Sequence, residues 1–193
     1  MPVDTGLGRG GSSDPPSSTP SDPPSFVLPL FPVGTSKFVV LSLVTFGIYE
    51  LYWIYQNWIR IKRASGEMLS PFWRTFFAPI WVFPLFARIR ALAKEHGIPA
   101  EWNAVVLATA YLALCLTAFL PDQWLLISIA AFVPMLPVQQ TAQRINAAHP
   151  AFATEPPNTR YSTGNIVTIV VGCLVLMLLI VAFYLQAQAV IEP

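Results

Sequence analysis

Charged residues are scarce in this chain of 193 residues. They make up 11% of it, against about 25% in a typical soluble domain, and hydrophobic residues make up 54%. Cys115 and Cys173 are the only cysteines, and both lie in apolar runs, where they are interpreted as packing residues. CxxC and HExxH patterns are missing, and His96 and His149 lie far apart. The sequence therefore predicts no metal site, no cofactor and no catalytic residues.

The longest stretch without charge lies near the C-terminus, between Arg160 and Glu192. Within it, residues 166–185 are almost wholly apolar. Twenty helical residues at about 1.5 Å each extend for about 30 Å, which is the hydrocarbon thickness of a bilayer. The sequence therefore predicts a transmembrane helix over about 166–186.

The remaining apolar runs predict an all-α, polytopic membrane domain over residues 36–190. Further spans are predicted over three stretches, at about 38–55, 102–120 and 124–140. An aromatic segment with two prolines, 72–86, is predicted to be re-entrant or to lie at the bilayer interface. Residues 1–35 are rich in Pro, Ser and Gly, and this composition predicts a disordered tail.

The distribution of basic residues favours four spans over five. With four spans, nine of the eleven Lys and Arg residues lie on the inner side, and only Arg9 and Lys37 lie outside. If residues 72–86 also cross the bilayer, the division becomes seven against four. The four-span arrangement is therefore preferred, with both termini outside and five spans as the alternative.

Four polar residues are candidates for a role within the membrane: Glu50, Arg74, Gln140 and Arg144. Glu50 falls inside a predicted span, where a charge costs about 2.5–3.5 kcal/mol. It is interpreted either as a functional carboxylate, alone or paired with Arg74, or as a residue solvated among headgroups because the helix ends early. Gln140 and Arg144 share a helical face, as do Gln139 and Gln143, in a cluster that also holds Asn146. The cluster could line a cavity or hold a lipid phosphate, but a helix emerging into the cytoplasm explains it more simply.

Two groups of basic residues flank the aromatic segments and predict contact with anionic lipid headgroups, at about 1 kcal/mol for each residue near the surface. These candidates are Arg60, Lys62, Arg63, Arg88, Arg90 and Lys94. The aromatic residues between Tyr49 and Trp58 predict an interfacial belt. Aromatic and basic residues next to apolar spans indicate a membrane anchor rather than a nucleic-acid site.

Several motifs are similar to those of one protein family. The run TFGIYELYW at Thr45–Trp53 is followed by NWIRIKRASGE and SPFWRTFFAPI, and later by LPVQQTAQRIN and NTRYSTGNI. Residues 36–185 thereby resemble an uncharacterised family of bacterial multi-pass membrane proteins, which have a T-x-G-I-Y-x-L-Y-W first helix and a Pro-Phe-Trp-Arg aromatic segment. The resemblance implies a bacterial cytoplasmic (inner) membrane, but it implies no activity and no functional residues.

Three classes of function remain compatible with the sequence. A non-enzymatic accessory, scaffold or regulatory component of a membrane assembly is preferred, with the lipid bilayer and either a membrane protein or a second copy as partners. A small oligomeric transporter or channel is the alternative, with Glu50 and the residues from Gln140 to Arg144 along its path. A membrane-embedded enzyme acting on lipids comes third, because no nucleophile and base are recognisable in the sequence.

Overall fold

The computed structural model describes residues 30–120, 124–148 and 158–191. Within these ranges the chain is helical, and its one strand-like feature is an isolated bridge between Val33 and Asn158. The all-α class is confirmed for this part of the protein. The predicted disorder up to residue 29, residues 121–123 between two of the predicted spans and His149 lie outside the described residues.

The helices follow the apolar runs of the sequence, but most are shorter than the predicted spans. They are α1 Thr35–Val44, α2 Ile48–Ser65, α3 Pro71–Phe76, α4 Ala78–Glu95, α5 Ala104–Thr117, α6 Trp124–Ser128, a 3-10 helix Ile129–Met135, α7 Leu136–Ala148 and α8 Thr163–Ile191. The predicted stretch 124–140 is divided among three of them. Pro134 lies inside its 3-10 portion, where its missing N–H and its ring disfavour a regular α-helix. The aromatic segment 72–86 is likewise divided between α3 and α4.

The stretch 38–55, which the sequence predicts as one span, is not one continuous helix. The α1 helix ends at Val44, and α2 begins at Ile48. Between them Phe46 has a φ of 53° and Gly47 a φ of 87°, both in the left-handed region. Glycine adopts this conformation without strain, and two such residues in succession end the helix and reverse the chain.

The α1 and α2 helices form an antiparallel hairpin together with the extended residues that precede α1. The Phe38 ring on α1 lies 5.9 Å from the ring of Trp53, which is in the first half of α2. The Phe31 ring lies 5.5 Å from that of Tyr52, and the Phe31 N–H donates to Asn57 Oδ1 at 3.0 Å. Later residues of α2 thus pair with earlier residues of the preceding segment. The apolar run predicted as one span folds back on itself.

The core lies where α4 packs against α5 and α7, and where α2 and the 3-10 helix close around them. Its largest fully buried side chains include Trp53, Trp58, Phe86 and Tyr111. The predicted aromatic belt is therefore partly internal, since Trp53 and Trp58 are completely buried while Tyr52 is 46% exposed. The indole rings that the sequence assigned to a bilayer interface instead fill the interior.

Among the described residues, the α8 helix differs from the other helices because it packs mainly along α1. The two helices run parallel: Lys37 Nζ donates to the Arg160 carbonyl at 2.7 Å, and further along Gly172 lies against Val44. A Cβ at Gly172 would overlap the Val44 carbonyl oxygen, so glycine permits this close approach. Within the described residues, α8 alone is long and apolar enough to cross a membrane, and 6% of its apolar window is buried.

Candidate functional site

A stripe of amide side chains on α7 binds the extended chain before α1. Gln139 and Gln143 each donate from Nε2 to the Val33 carbonyl oxygen at 2.6 Å. Asn146 accepts from the Leu30 N–H at 2.9 Å and donates back to the Leu30 carbonyl at 2.8 Å. The three amides are spaced i, i+4 and i+7, which aligns them on one helical face. They satisfy backbone groups of an irregular segment that has no helix of its own.

The α2 helix holds the same segment from the other side. Asn57 accepts from the Phe31 N–H and donates from Nδ2 to the Trp53 carbonyl at 2.9 Å. The Trp53 indole N–H donates to Gln139 Oε1 at 2.5 Å. Asn57, Trp53 and Gln139 are each almost or completely buried, so these hydrogen bonds lie in a dry environment where they are stronger. The packed domain therefore includes residues 30–34, which the sequence assigned to the tail.

The predicted polar pair on α7 lies outside this stripe. Gln140 and Arg144 are exposed, and they line a shallow groove of about 310 Å³ that also contains Glu101 and Trp102. The sequence analysis chose Gln140 and Arg144 on this face of α7 as candidates. It also noted that Gln139 and Gln143 share a face, and that buried face makes the contacts. Asn146, at i+7 from Gln139, was the further signal that would have revealed the stripe.

Glu50 is buried, with 2% of its surface exposed. It lies in the first turn of α2, where its carboxyl group folds back toward Gly47. The side chain of Tyr111 on α5 lies next to this carboxyl group, and Cys115 lies next to Tyr111. Glu50 Oε1 has no hydrogen-bond partner among the described residues. The interpretation of Glu50 as a solvated residue is therefore wrong.

Arg74 does not pair with Glu50. Its guanidinium lies between two indole rings, 4.3 Å from the centroid of Trp58 and 4.4 Å from that of Trp81. Cation–π contacts of this kind are worth about 0.5–2 kcal/mol each, depending on how far the cation is desolvated. The contacts join α3 to α2 and α4, so the predicted ion pair is replaced by an aromatic sandwich.

This sandwich fixes α3 with its aromatic side chains pointing outward. Phe72, Trp73 and Phe76 are 57–66% exposed, and Ile80 at the start of α4 is 65% exposed. The three aromatic rings contact one another, and the ring centroids of Phe72 and Trp73 are 5.4 Å apart. A contiguous exposed aromatic surface is uncommon in a soluble monomer and marks contact with a protein or a membrane.

Two of the six predicted headgroup contacts are engaged within the protein. Arg60 donates to the Gln56 carboxamide oxygen at 2.8 Å. Arg88 donates to both carboxylate oxygens of Glu67, at 2.6 and 2.9 Å, and this hydrogen bonding lowers the pKa of Glu67. The other four residues are exposed and remain candidates: Lys62, Arg63, Arg90 and Lys94.

No family model, curated protein or solved structure matches this chain. Within the described ranges, no three His, Cys, Asp or Glu side chains lie close enough together to hold a metal ion. Among the described residues, the features that stand out are the exposed apolar helix α8, the aromatic surface of α3, the buried carboxyl group of Glu50 and the exposed headgroup candidates Lys62, Arg63, Arg90 and Lys94.

Proposed function

We propose that this chain is an integral membrane protein whose α8 helix crosses the bilayer. The apolar stretch Thr163–Gln186 contains 24 residues, which extend for about 36 Å as a helix. The observation that carries the proposal is its exposure, since 6% of the apolar window is buried. The core helix of a soluble protein would be mostly buried, so lipid is the environment that suits these side chains.

The contacts of α1 support a re-entrant hairpin rather than the first predicted span. The ten residues of α1 extend for about 15 Å, which is half of the hydrocarbon thickness. The α1 helix runs parallel to α8, and its end at Val44 meets Gly172, nine residues or about 14 Å beyond Thr163. The turn at Phe46 and Gly47 would therefore lie near the bilayer centre, and α2 would return to the same face.

A second helical hairpin, in which α5 packs against α6 and the 3-10 helix, begins and ends at that face too. The Trp102 indole before α5 donates to Thr141 on α7 at 2.9 Å. In turn, α7 is joined through Gln139 to Val33, and Val33 bridges Asn158 shortly before α8. The ends of both hairpins thus lie at the same bilayer face as the start of α8. This holds for any depth to which α5 and the 3-10 helix enter the bilayer.

This topology agrees better with the positive-inside rule than four spans do. All ten Lys and Arg residues from Lys37 to Arg160 would lie on one side, and no Lys or Arg follows Arg160. The four-span arrangement separates Lys37 from the others. We therefore propose that the start of α8 faces the cytoplasm and that its end lies on the opposite side.

Within that membrane, we propose a non-enzymatic accessory, scaffold or regulatory role in an assembly. The polar side chains that a transport path would need, such as Gln139, Gln143 and Asn57, are occupied by the backbone of residues 30–34. The exposed aromatic surface of α3 and the exposed length of α8 offer faces to a membrane-protein partner. The resemblance to bacterial multi-pass proteins supports a bacterial inner membrane as the location.

A small oligomeric transporter is the second candidate, favoured by one observation. Glu50 Oε1 is buried and has no partner among the described residues, and an intramembrane carboxyl group is a common part of an ion or proton path. Uptake into vesicles that is lost in Glu50→Gln, with the protein still folded, would favour transport over the accessory role.

Native mass spectrometry of the protein extracted from its own membrane in mild detergent tests the proposed role. We expect a defined second protein to be retained at fixed stoichiometry. A homo-oligomer that carries only lipid or small molecules would contradict the accessory role and favour the transporter.

Single cysteines at Ser36 and Ser65, in a chain whose own cysteines are replaced by alanine, test the re-entrant hairpin. Both residues are exposed, one near each end of the hairpin. We expect a membrane-impermeant maleimide to label both from the same face. Labelling from opposite faces would restore the span predicted over 38–55.

A further inference from the structure

A groove between α4 and the start of α5 combines two cations with small apolar walls. Its volume is about 670 Å³, and the residues that line it include Ala87, Arg90, Ala91, Lys94, Ala104 and Val105. Arg90 and Lys94 are four residues apart on α4, so they share one helical face. The alanines leave the space between the helices open beside these two charges.

Charge distinguishes this groove from two others. The groove that holds Lys62 and Arg63 also contains Glu67, and the groove beside Arg144 also contains Glu101. The side chains that line the α4–α5 groove include no carboxylate. Two neighbouring cations without an anion favour a bound negative group, such as a phosphate.

The position of the groove suits a molecule that has both a charged end and an apolar end. Asn103 lies in the groove and caps α5, accepting from the Val105 N–H at 2.9 Å. Beyond it, Val105 and Val106 are more than 60% exposed, at the beginning of the hairpin proposed to enter the bilayer. The cations would therefore lie at headgroup level while the apolar wall continues toward the hydrocarbon.

We propose that this groove binds one anionic phospholipid, with its phosphate between Arg90 and Lys94 and an acyl chain along Ala87, Ala91 and Val105. The site depends on the proposed membrane insertion, because the acyl chain needs a bilayer to continue into. Arg90 and Lys94 would therefore bind one lipid in a defined groove, whereas the other basic residues predicted to contact lipid would attract headgroups only through their surface charge.

Lipid retention by the purified full chain tests the site. The protein is reconstituted with equimolar phosphatidylglycerol and phosphatidylcholine, extracted in mild detergent and examined by native mass spectrometry. We expect phosphatidylglycerol to be retained and R90Q/K94Q to weaken its binding roughly 30-fold, since each cation near a surface contributes about 1 kcal/mol. The matched control K62Q/R63Q removes the same charge from the groove with Glu67 and should retain the lipid.

A second variant, Ala91→Leu, keeps both charges and fills the apolar part of the groove. We expect it to reduce retention as well, and inorganic phosphate added in excess to leave the wild-type complex intact. Equal loss in R90Q/K94Q and K62Q/R63Q, or no loss in R90Q/K94Q, would overturn the site. Displacement by phosphate alone would show a free-anion site and would also overturn it.

Alkaline extraction of the membranes separates this site from the proposed function. If each variant and the wild type stay in the membrane and R90Q/K94Q binds lipid normally, the lipid site fails and the membrane proposal stands. If the wild type is released by alkali, the proposed insertion fails, and the lipid site fails with it.

Discussion

The helical domain within residues 30–148 and the α8 helix differ in how far their apolar side chains are buried. The domain has a core of fully buried large side chains, including Trp53, Trp58 and Phe86, and it holds irregular backbone with buried amides. In contrast, α8 leaves side chains such as Leu174 and Leu178 more than half exposed. Length and composition alone do not separate a core helix from a membrane helix. Burial is the property in which the two regions differ, since 6% of the apolar window of α8 is buried.

The contrast also shows where polar groups are tolerated. The domain contains buried Gln139, Asn57 and Glu50, each facing the interior. The first two are hydrogen-bonded, as the high cost of an unpaired buried polar group requires. The segment Ile166–Leu185 of α8 carries no charged residue at all. Buried polar side chains such as Gln139 and Asn57 thus lie in the domain, where other residues hydrogen-bond to them.

The largest effect is expected inside the domain, for Gln139→Leu. The substitution removes the acceptor of the buried Trp53 indole N–H and one of the two donors to the Val33 carbonyl. We expect the free energy of unfolding to fall by about 2–4 kcal/mol, because a buried donor is left unpaired. Thermal unfolding in detergent measures it.

Gln140→Leu is the matched control for that substitution, on the adjacent and exposed position of α7. We expect a change within about 0.5 kcal/mol. Equal effects of the two substitutions would show that the amide stripe does not stabilise the segment 30–34.

The next largest effect is expected where the two regions meet, for Gly172→Ala. The added Cβ would lie 2.7 Å from Val44 Cβ and would also overlap the Val44 carbonyl. We expect a loss of about 1–3 kcal/mol from this overpacking, read as a lower unfolding temperature. Gly164→Ala is the control, since its nearest neighbour would be Ser162 Oγ at 3.9 Å. A neutral Gly172→Ala would mean that α8 does not stay packed on α1.

A smaller effect is expected at the helix caps within the domain. Asn103 accepts hydrogen bonds from the Val105 and Val106 N–H groups, so Asn103→Ala should cost about 1 kcal/mol. Ser70 precedes α3 and is of a residue type that often caps a helix, but it makes no side-chain capping bond. Ser70→Ala should therefore be close to neutral. The reverse order of the two effects would contradict the capping assignment.

The smallest effect is expected for the exposed pair of Glu67 and Arg88. Hydrogen bonding from Arg88 lowers the pKa of Glu67 from its ordinary value of 4.5. A carboxyl group with a lowered folded-state pKa stabilises the fold above its ordinary pKa, and this stabilisation is lost as the pH falls below that value. Glu67→Gln should remove this small acid-dependent component, which unfolding curves between neutral and acidic pH can measure. An unchanged acid dependence would show that the pair adds nothing.

The sequence predicted the apolar helix better than it predicted the domain. Residues 166–186 lie within the observed Thr163–Ile191, because a long uncharged run has few alternatives to a helix. The break at Phe46 and Gly47 was missed, since hydropathy does not detect a left-handed turn inside an apolar run. The burial of Glu50 also depends on Tyr111 from a distant helix, and no local pattern reports such a contact.

The central claim is that α8 crosses the bilayer, and single-cysteine accessibility tests it most directly. Ser162 and Gln188 lie just before the helix and near its end, and both are exposed. Each is changed to cysteine in a chain with Cys115→Ala and Cys173→Ala, and labelled with a membrane-impermeant maleimide in intact cells and in inverted vesicles. We predict labelling of Gln188→Cys only from outside and of Ser162→Cys only from the cytoplasmic side. Labelling of both from one side would contradict the claim.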